Sequence, residues 1–272
     1  MEQLGPALLA LAAATLGSLG GIGGAILLVP LLVVTGTSAA EAAPLGLLMV
    51  AAASIAAGPR QLRERAVNHR LGMASELLAS TGAVVGALVS GALSDRLLSY
   101  VLAAVAVGAA VAGSFRSGLR NPPDPACGPG DVGERVGGLA GAYPLGNGVV
   151  PYRPARLRGG LALMGLAGVV AGGSGASGGF IKTPALSELM RVPSRVAAAT
   201  TTFTVGITAS AALCIFALQG RIDVELAPGV IVASLLGGGV GARLQSRVAP
   251  AMIRRLLGVL LVVVALLLVV RA

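Results

Sequence analysis

The chain is poor in the residues that carry most enzyme and nucleic-acid chemistry. It has no tryptophan, 3% aromatic residues, a single histidine at position 69 and two cysteines, Cys127 and Cys214. So few aromatics leave no platform on which bases could stack, which argues against nucleic acid as a partner. One cysteine lies in a polar segment and the other in an apolar run, so neither a disulfide framework nor a metal cluster is expected. No P-loop or dinucleotide fingerprint occurs either, and we expect no cofactor and no metal.

Charge is scarce as well. Charged residues make up 11% of the 272 residues and hydrophobic residues 55%, and mean hydropathy is +0.88. A soluble domain of this size has no need of so much apolar surface. Runs long enough to cross about 30 Å of hydrocarbon as helices cover residues 39–58, 71–93, 97–113, 196–218, 226–244 and 253–270. The sequence therefore predicts an all-α polytopic membrane protein that has the lipid bilayer as a partner. Its first segment lacks the basic start of a signal peptide and is expected to be retained.

Two further apolar runs, 4–36 and 159–190, are interrupted by glycine and match each other. Residues 21–30, GIGGAILLVP, correspond to residues 175–184, GASGGFIKTP, at an offset of 154. The segment that ends at Asn68 corresponds to the one that ends at Asp223 at an offset of 155. Correspondences in the same order along the chain indicate a duplicated unit.

A polar segment separates the two copies. Residues 115–158 are rich in proline and glycine, which is typical of a linker. The chain thus divides into a first membrane repeat (1–114), this linker and a second membrane repeat (159–272). Asn147 and Gly148 form a turn signal between apolar residues, which permits a small hairpin; a disordered loop is the alternative.

The distribution of arginine predicts the topology. If each glycine-broken run starts and ends on the same side of the membrane, sixteen of the nineteen arginines lie on one face and only Arg96, Arg221 and Arg271 on the other. Arginine-rich loops stay in the cytoplasm, so the linker is predicted to be cytoplasmic and the N-terminus outside. Each half then crosses an odd number of times, which gives two inverted-topology repeats, each a Gly-broken helical hairpin plus three transmembrane helices. The broken runs either re-enter or cross as two short helices.

At these residues the chain resembles the sulfite exporter (TauE/SafE) family of membrane permeases. The resemblance lies in the G-x-G-G…P pattern of each half, in residues 179–186 (GFIKTPAL) and in residues 196–203 (VAAATTTF). It implies a permease and not an enzyme. The implied substrates are sulfite, organosulfonates or related small anions, moved generally outward across a prokaryotic inner membrane.

Lys182 is the only lysine in the chain and follows Gly179 within an apolar segment. An intramembrane charge is a functional candidate by default, and snorkelling to the nearer interface is the alternative. In inverted repeats, broken helices meet near the midplane, where their free N–H groups can hold an anion. We therefore predict a substrate site between the two broken elements. Its predicted residues are Gly21, Gly23, Gly24, Pro30, Ser174, Ser177, Gly178, Gly179, Lys182, Thr183, Pro184, Thr200, Thr201 and Thr202.

Other residues allow more than one interpretation. The hydroxyl of Thr200 serves either the anion or its own helix. Ser54 and Thr208, related by the offset of 154, are more simply packing residues. Glu76 lies six residues beyond Arg70, so it either reaches the cytoplasmic interface or takes part in proton coupling. Small-residue packing faces are predicted at Gly82, Gly86, Gly91, Gly237, Gly238, Gly239 and Gly241.

Two other classes compete with a carrier. Residues 175–179 fit G-x-S-x-G and resemble the serine motif of rhomboid intramembrane proteases. Such a serine needs a base within hydrogen-bond reach, but His69 is predicted at the cytoplasmic edge and Lys182 lies off the helical face of Ser177. An anion channel or a scaffold is the other class, and the paired breaks favour a carrier because a channel needs no closed midplane site. The sequence predicts no oligomeric state.

Overall fold

The computed structural model describes residues 4–20, 23–114, 121–145, 148–244 and 250–271, and within them the chain is mostly helical. The helices are α1 Leu4–Gly20, α2 Ala25–Thr35, α3 Ala39–Arg63, α4 His69–Ser90, α5 Asp95–Ser114, α6 Leu157–Ser174, α7 Gly179–Pro184, α8 Ser194–Leu218, α9 Ala227–Leu244 and α10 Pro250–Arg271. Among the described residues, α3, α4, α6, α8 and α9 are long and apolar enough to cross a membrane. Shorter apolar helices cover Leu4–Leu19, Ala25–Thr35 and Gly258–Leu268. The prediction of a polytopic membrane protein is confirmed.

The linker contains a small sheet, which corrects the all-α prediction. Strands β1 Gly133–Glu134, β2 Gly141–Leu145 and β3 Gly148–Tyr152 pair antiparallel in the order β1-β2-β3. The permitted hairpin is β2–β3, although Asn147 of its turn lies outside the described residues. Proline and glycine stop helix formation here, and β-branched and aromatic residues favour strand pairing.

Each glycine-broken run consists of a long arm and a short arm. In the second run, α6 ends at Ser174 and is followed by Gly175, which has φ +69, the left-handed conformation that favours glycine at a helix C-terminus. The short arm is α7 and the π-helical turn Ala185–Leu189 that follows it. The amide of Ala155 donates to the carbonyl of Met190 at 2.9 Å, so this run starts and ends at the same end of the molecule. In the first run α1 has 17 residues and α2 has 11.

Helices of the two halves pack on each other through glycine. α4 packs along α6, and α9 packs along α1. A Cβ on Gly82 would overlap the Gly165 carbonyl, and one on Gly237 would crowd the Leu11 carbonyl. The predicted packing faces are confirmed at positions 82, 86, 237, 238 and 241. At Gly239, by contrast, a Cβ would meet open space, so this residue lies off the packing face.

Contacts define two ends of the helical bundle. At the linker end, Arg195 Nη2 donates to Glu64 Oε2 at 2.8 Å and Asn68 Nδ2 donates to the carbonyl of Leu139 at 3.0 Å. Burial raises the pKa of Glu64, but its bonds with Arg195 and Arg60 outweigh this effect and the pKa lies below its usual value. The carboxylate therefore stays charged at neutral pH.

The opposite end is held by Arg221 and Asp95. Arg221 Nη2 donates to the carbonyl of Ala40 at 3.0 Å, and its Nη1 donates to Ser90 Oγ at 3.0 Å. The amide of Ala40 donates to Asp95 Oδ1 at 3.0 Å. The connections α2–α3, α4–α5 and α8–α9 therefore meet at this end.

The core and the periphery are both apolar, as a bilayer requires. The interior centres on α2 and α3, where side chains such as Ile26, Leu28 and Met49 are fully buried. Large apolar side chains such as Ile55 and Leu77 are exposed around the helices. Exposed apolar side chains of this kind suit contact with lipid.

Candidate functional site

The two helix breaks touch each other. Gly23 has φ +78, and a Cβ placed on it would overlap the hydroxyl of Ser177. Only glycine fits this position, because both the backbone conformation and the approach of Ser177 exclude a side chain. The structure therefore brings together one predicted site residue from each half.

Each break also packs on its own long arm. A Cβ on Gly24 would overlap the carbonyl of Ala13, and one on Gly178 would lie 2.6 Å from the carbonyl of Ala167. Both pairs keep the offset of 154 residues. The predicted glycines thus let the short arm fold back closely on the long arm. Gly21 lies outside the described residues.

The two prolines lie within the short arms. Pro30 is buried inside α2. Pro184 ends the α-helical part of α7, after which the backbone forms a π-helical turn. Proline removes a donor from the helical ladder, and π-helical turns often occur where an α-helix is interrupted.

The serines at the second break satisfy the backbone. Ser174 Oγ donates to the carbonyl of Val170 at 2.6 Å and accepts from the amide of Ala176 at 3.3 Å. Ser177 Oγ accepts from the amide of Gly179 at 3.1 Å. Freed backbone groups at membrane depth need such partners.

Lys182 is the centre of a buried polar cluster built from three helices. Its Nζ donates to Glu76 Oε2 at 2.7 Å and to Thr208 Oγ1 at 2.5 Å. The Thr208 hydroxyl also donates to Glu76 Oε1, and Ser80 Oγ donates to the same oxygen at 3.0 Å. Lys182 comes from α7, Glu76 and Ser80 from α4, and Thr208 from α8. We call Lys182, Glu76 and Thr208 the polar triad.

The triad overturns three alternatives from the sequence. Lys182 does not snorkel, because its side chain is 2% exposed. Glu76 does not reach the interface, because α6 and α8 cover its face of α4 and it is 2% exposed. Thr208 is not merely a packing residue, since its hydroxyl joins the two charges. Ser54 does pack as expected: its hydroxyl donates to the carbonyl of Thr202 at 2.6 Å.

The three consecutive threonines have different roles. Thr200 Oγ1 accepts from the amide of Asn68 at 2.9 Å and so joins α8 to the start of α4. Thr202 Oγ1 donates to the carbonyl of Ala198 in its own helix at 2.9 Å. Thr201 Oγ1 is buried and has no hydrogen-bond partner among the described residues. Thr183, next to Lys182, is also buried.

Two members of the triad, Glu76 and Thr208, are not among the predicted site residues, although the sequence contains a signal for each. Glu76 is the only carboxylate in the apolar run 71–93, and Lys182 is the only lysine of the chain. Charges within membrane segments pair with one another, so these two were candidates for each other. Thr208 was marked by its offset from Ser54.

A basic cavity lies apart from the triad. It has a volume of about 360 Å³ and opens between α3 and α9 at the linker end. Its lining includes Arg60, Arg63 and Arg243 and none of the predicted site residues. Its guanidinium groups give that end a positive potential that would draw anions towards the protein.

Among the described residues, Ser177 has no base within hydrogen-bond reach, as a serine protease would require. His69 Nδ1 lies 2.9 Å from Glu134 Oε1, and its side chain is half exposed at the linker end. The ammonium of Lys182 is held by Glu76 and Thr208. Neither base is therefore bonded to Ser177, which contacts Gly23 instead.

The comparison with protein families decides the class. The sequence model of the sulfite exporter TauE/SafE family matches residues 7–268. The chain belongs to this family. Because TauE/SafE proteins are transporters and not enzymes, this chain is a multi-pass membrane transporter, and the match spans both broken runs and the linker. No curated protein and no solved structure matches it.

Proposed function

We propose that this TauE/SafE protein is a carrier that exports a small oxyanion, sulfite or an organosulfonate, across a prokaryotic inner membrane. The observation that carries the proposal is the ammonium group of Lys182, buried in the interior on the short arm that follows the second break. A buried ammonium in a transporter of this family is the natural partner of an anionic substrate.

The chemistry of the ammonium suits an oxyanion. Lysine has three donors, and the triad contacts use two of them. Its compact charge can bind an oxyanion without the rigid two-point geometry of arginine, so that the ion can leave again.

The proposed architecture is a pair of inverted repeats. Support comes from reciprocal contacts: Gly82 approaches the carbonyl of Gly165, and the equivalent Gly237 approaches the carbonyl of Leu11. The Asn68 side chain caps α4 through the Leu71 amide, and Asp223 bonds the Leu226 amide in the same way. In inverted repeats, each half can adopt the conformation of the other, so that the site opens first to one side of the membrane and then to the other.

Orientation follows from arginine. We propose that the linker end is cytoplasmic, because the positive-inside rule assigns arginine-rich loops to that side. Residues Arg60, Arg63, Arg70, Arg135, Arg153, Arg191 and Arg195 belong to the segments around that end.

A carrier fits the packing better than a channel does. The contact between Gly23 and Ser177 closes the space between the two breaks. Lys182 and Glu76 are almost fully enclosed. An enclosed binding group must be exposed to each side in turn, which limits the rate and makes flux saturate.

The test is efflux from proteoliposomes loaded with sulfite, sulfate, thiosulfate or a sulfonate. We expect saturable efflux of at least one anion and a loss of roughly tenfold or more in Lys182→Ala, the range expected for a charge-assisted hydrogen bond. Ser210→Ala is the control, because this exposed hydroxyl only donates to the carbonyl of Gly206 in its own helix. Both variants are first checked for a monodisperse elution profile.

Three outcomes contradict the proposal in different ways. Absence of flux for every anion would end the transport hypothesis for these substrates. Unchanged flux in Lys182→Ala would remove Lys182 from the site. Flux that rises linearly with concentration would favour the channel.

A further inference from the structure

Glu76 binds the ammonium group of Lys182, which the proposed substrate would also have to bind. Its Oε2 accepts from Lys182 Nζ at 2.7 Å, while its Oε1 accepts from the hydroxyls of Thr208 and Ser80. An internal carboxylate thus takes the position on the ammonium group that a substrate oxyanion would take. A substrate oxygen and Glu76 Oε2 compete for the same ammonium.

Among the residues that the structure describes, Glu76 has no second cation beside it that could hold both anions. Of the described residues that line the helices around Glu76, Lys182 on α7 is the charged partner. α6 carries no titratable side chain from Gly159 to Ser174, and α8 carries only the exposed Cys214 between Val196 and Leu218. Two negative groups beside one ammonium would leave a net charge buried in a medium of low dielectric, which is strongly unfavourable.

A proton resolves this conflict at one particular atom. When an anion takes the ammonium, Glu76 Oε2 loses its donor, whereas Oε1 keeps the hydroxyls of Thr208 and Ser80. We infer that Glu76 is the coupling residue, and that each anion is carried together with one proton bound on Glu76 Oε2. The inference rests on the proposed carrier function.

The charges balance in both states of the site. Empty, the site holds the lysine cation and the glutamate anion. Loaded, it holds the lysine cation, one monovalent anion and a neutral carboxylic acid. On release, the proton leaves Oε2 and the carboxylate returns to Lys182. The site is thus neutral whenever it is enclosed, and a monovalent anion crosses without net charge movement.

The experiment uses a sulfonate, because a sulfonate carries no titratable proton of its own at neutral pH. Proteoliposomes contain wild-type protein, a pH-sensitive dye and ethanesulfonate, with the membrane potential clamped by potassium and valinomycin. We expect sulfonate efflux to make the lumen alkaline by one proton per anion. An imposed pH difference should drive sulfonate accumulation of about tenfold per pH unit, because one proton moves with each anion.

A matched pair of variants locates the proton. Glu76→Gln keeps the hydrogen-bonding shape but cannot exchange a proton, so we expect anion exchange to persist while accumulation driven by the pH difference is lost. Glu225→Gln changes an exposed carboxylate in the connection between α8 and α9, at the end of the bundle opposite the linker, and should behave as wild type.

The outcomes separate the two proposals. If wild-type protein moves no anion, the carrier function fails. If it moves sulfonate without protons, carrier function stands and the coupling inference is overturned. Coupling that survives in Glu76→Gln would also overturn it, since the proton would then reside elsewhere. The number of protons moved per sulfonate by the wild type tests proton coupling even if Glu76→Gln fails to fold.

Discussion

At the scale of single residues, Asn68 shows how one buried side chain can connect three parts of the molecule. Its side chain is fully buried, and its Oδ1 accepts from the amide of Leu71 at 2.9 Å. Its Nδ2 donates to the carbonyl of Leu139 at 3.0 Å and to the Tyr152 hydroxyl at 3.1 Å. Burial raises the pKa of Tyr152 to about 12, so this hydroxyl stays protonated at neutral pH. Asn68 therefore caps α4 and holds the linker sheet at the same time.

Replacing Asn68 by alanine should release the linker. We expect Asn68→Ala to lower stability by about 2 kcal/mol, because a helix cap and buried hydrogen bonds are lost together. Limited proteolysis should then cut within residues 121–156 sooner than in the wild type. The control is Asp223→Ala, which removes the equivalent cap on α9, where Asp223 Oδ1 accepts from the amides of Glu225 and Leu226 and not from the linker. Equal proteolysis rates in both variants would contradict the role assigned to Asn68.

The residues of the site were only partly accessible to sequence reasoning. Lys182 can be recognised from the sequence because it is a lone charge in an apolar run. Its partner Glu76 lies 106 residues away, and only the packing of α4, α7 and α8 brings the two together. Thr200 and Thr202 look alike in sequence, yet one bonds Asn68 and the other its own helix. Side-chain partners of this kind depend on tertiary packing and leave no local pattern.

At the scale of elements, helix positions followed closely from the apolar runs, while helix ends did not. The run 39–58 became α3, which continues to Arg63 because Arg60, Gln61 and Arg63 can extend a helix beyond the hydrocarbon. The run 71–93 became α4, which starts at His69 because Asn68 caps it. The linker sheet was predicted only as one of two alternatives, since short strands depend on partners that local sequence does not specify.

Glycine determines how closely the elements of the two halves approach. A Cβ on Gly86 would overlap the carbonyl of Val169 in α6. We expect Gly86→Ala to separate α4 from α6 and to lower the thermal unfolding midpoint in detergent by several degrees, an overpacking cost of about 1–3 kcal/mol. Because Glu76 of the triad lies on α4, a shift of this helix should lower anion flux as well.

Gly108 supplies the matched control for this prediction. It lies inside α5, and a Cβ there would meet open space. Alanine is about 1 kcal/mol more favourable than glycine within a helix, so Gly108→Ala should be neutral or slightly stabilising. A similar loss of stability in both variants would show that helical glycines act here through the backbone and not through packing.

At the scale of the whole molecule, the two ends of the bundle make the topology testable. In a chain with Cys127 and Cys214 replaced by serine, we expect Leu62→Cys to label with a membrane-impermeant maleimide only from the cytoplasm. Leu62 is exposed at the linker end. Ser246→Cys should label from the same side and Glu225→Cys from the outside.

The labelling pattern distinguishes inverted from parallel repeats. Positions 62 and 225 lie at the linker end and the opposite end of the bundle, so labelling of both from one side would refute the orientation. Labelling of positions 62 and 246 from different sides would refute inversion. Single spans across the broken runs would produce that second pattern.

The polar triad has a consequence for how the two copies could change over time. Glu76 belongs to the first half, and Lys182 and Thr208 belong to the second. At the equivalent positions of the opposite halves stand Leu28 for Lys182 and Ile231 for Glu76, both apolar. A substitution that removed either charge alone would leave the other unpaired in the interior, so the two positions can change only together or through polar intermediates. Neither half could be replaced by a second copy of the other without losing one charge of the pair.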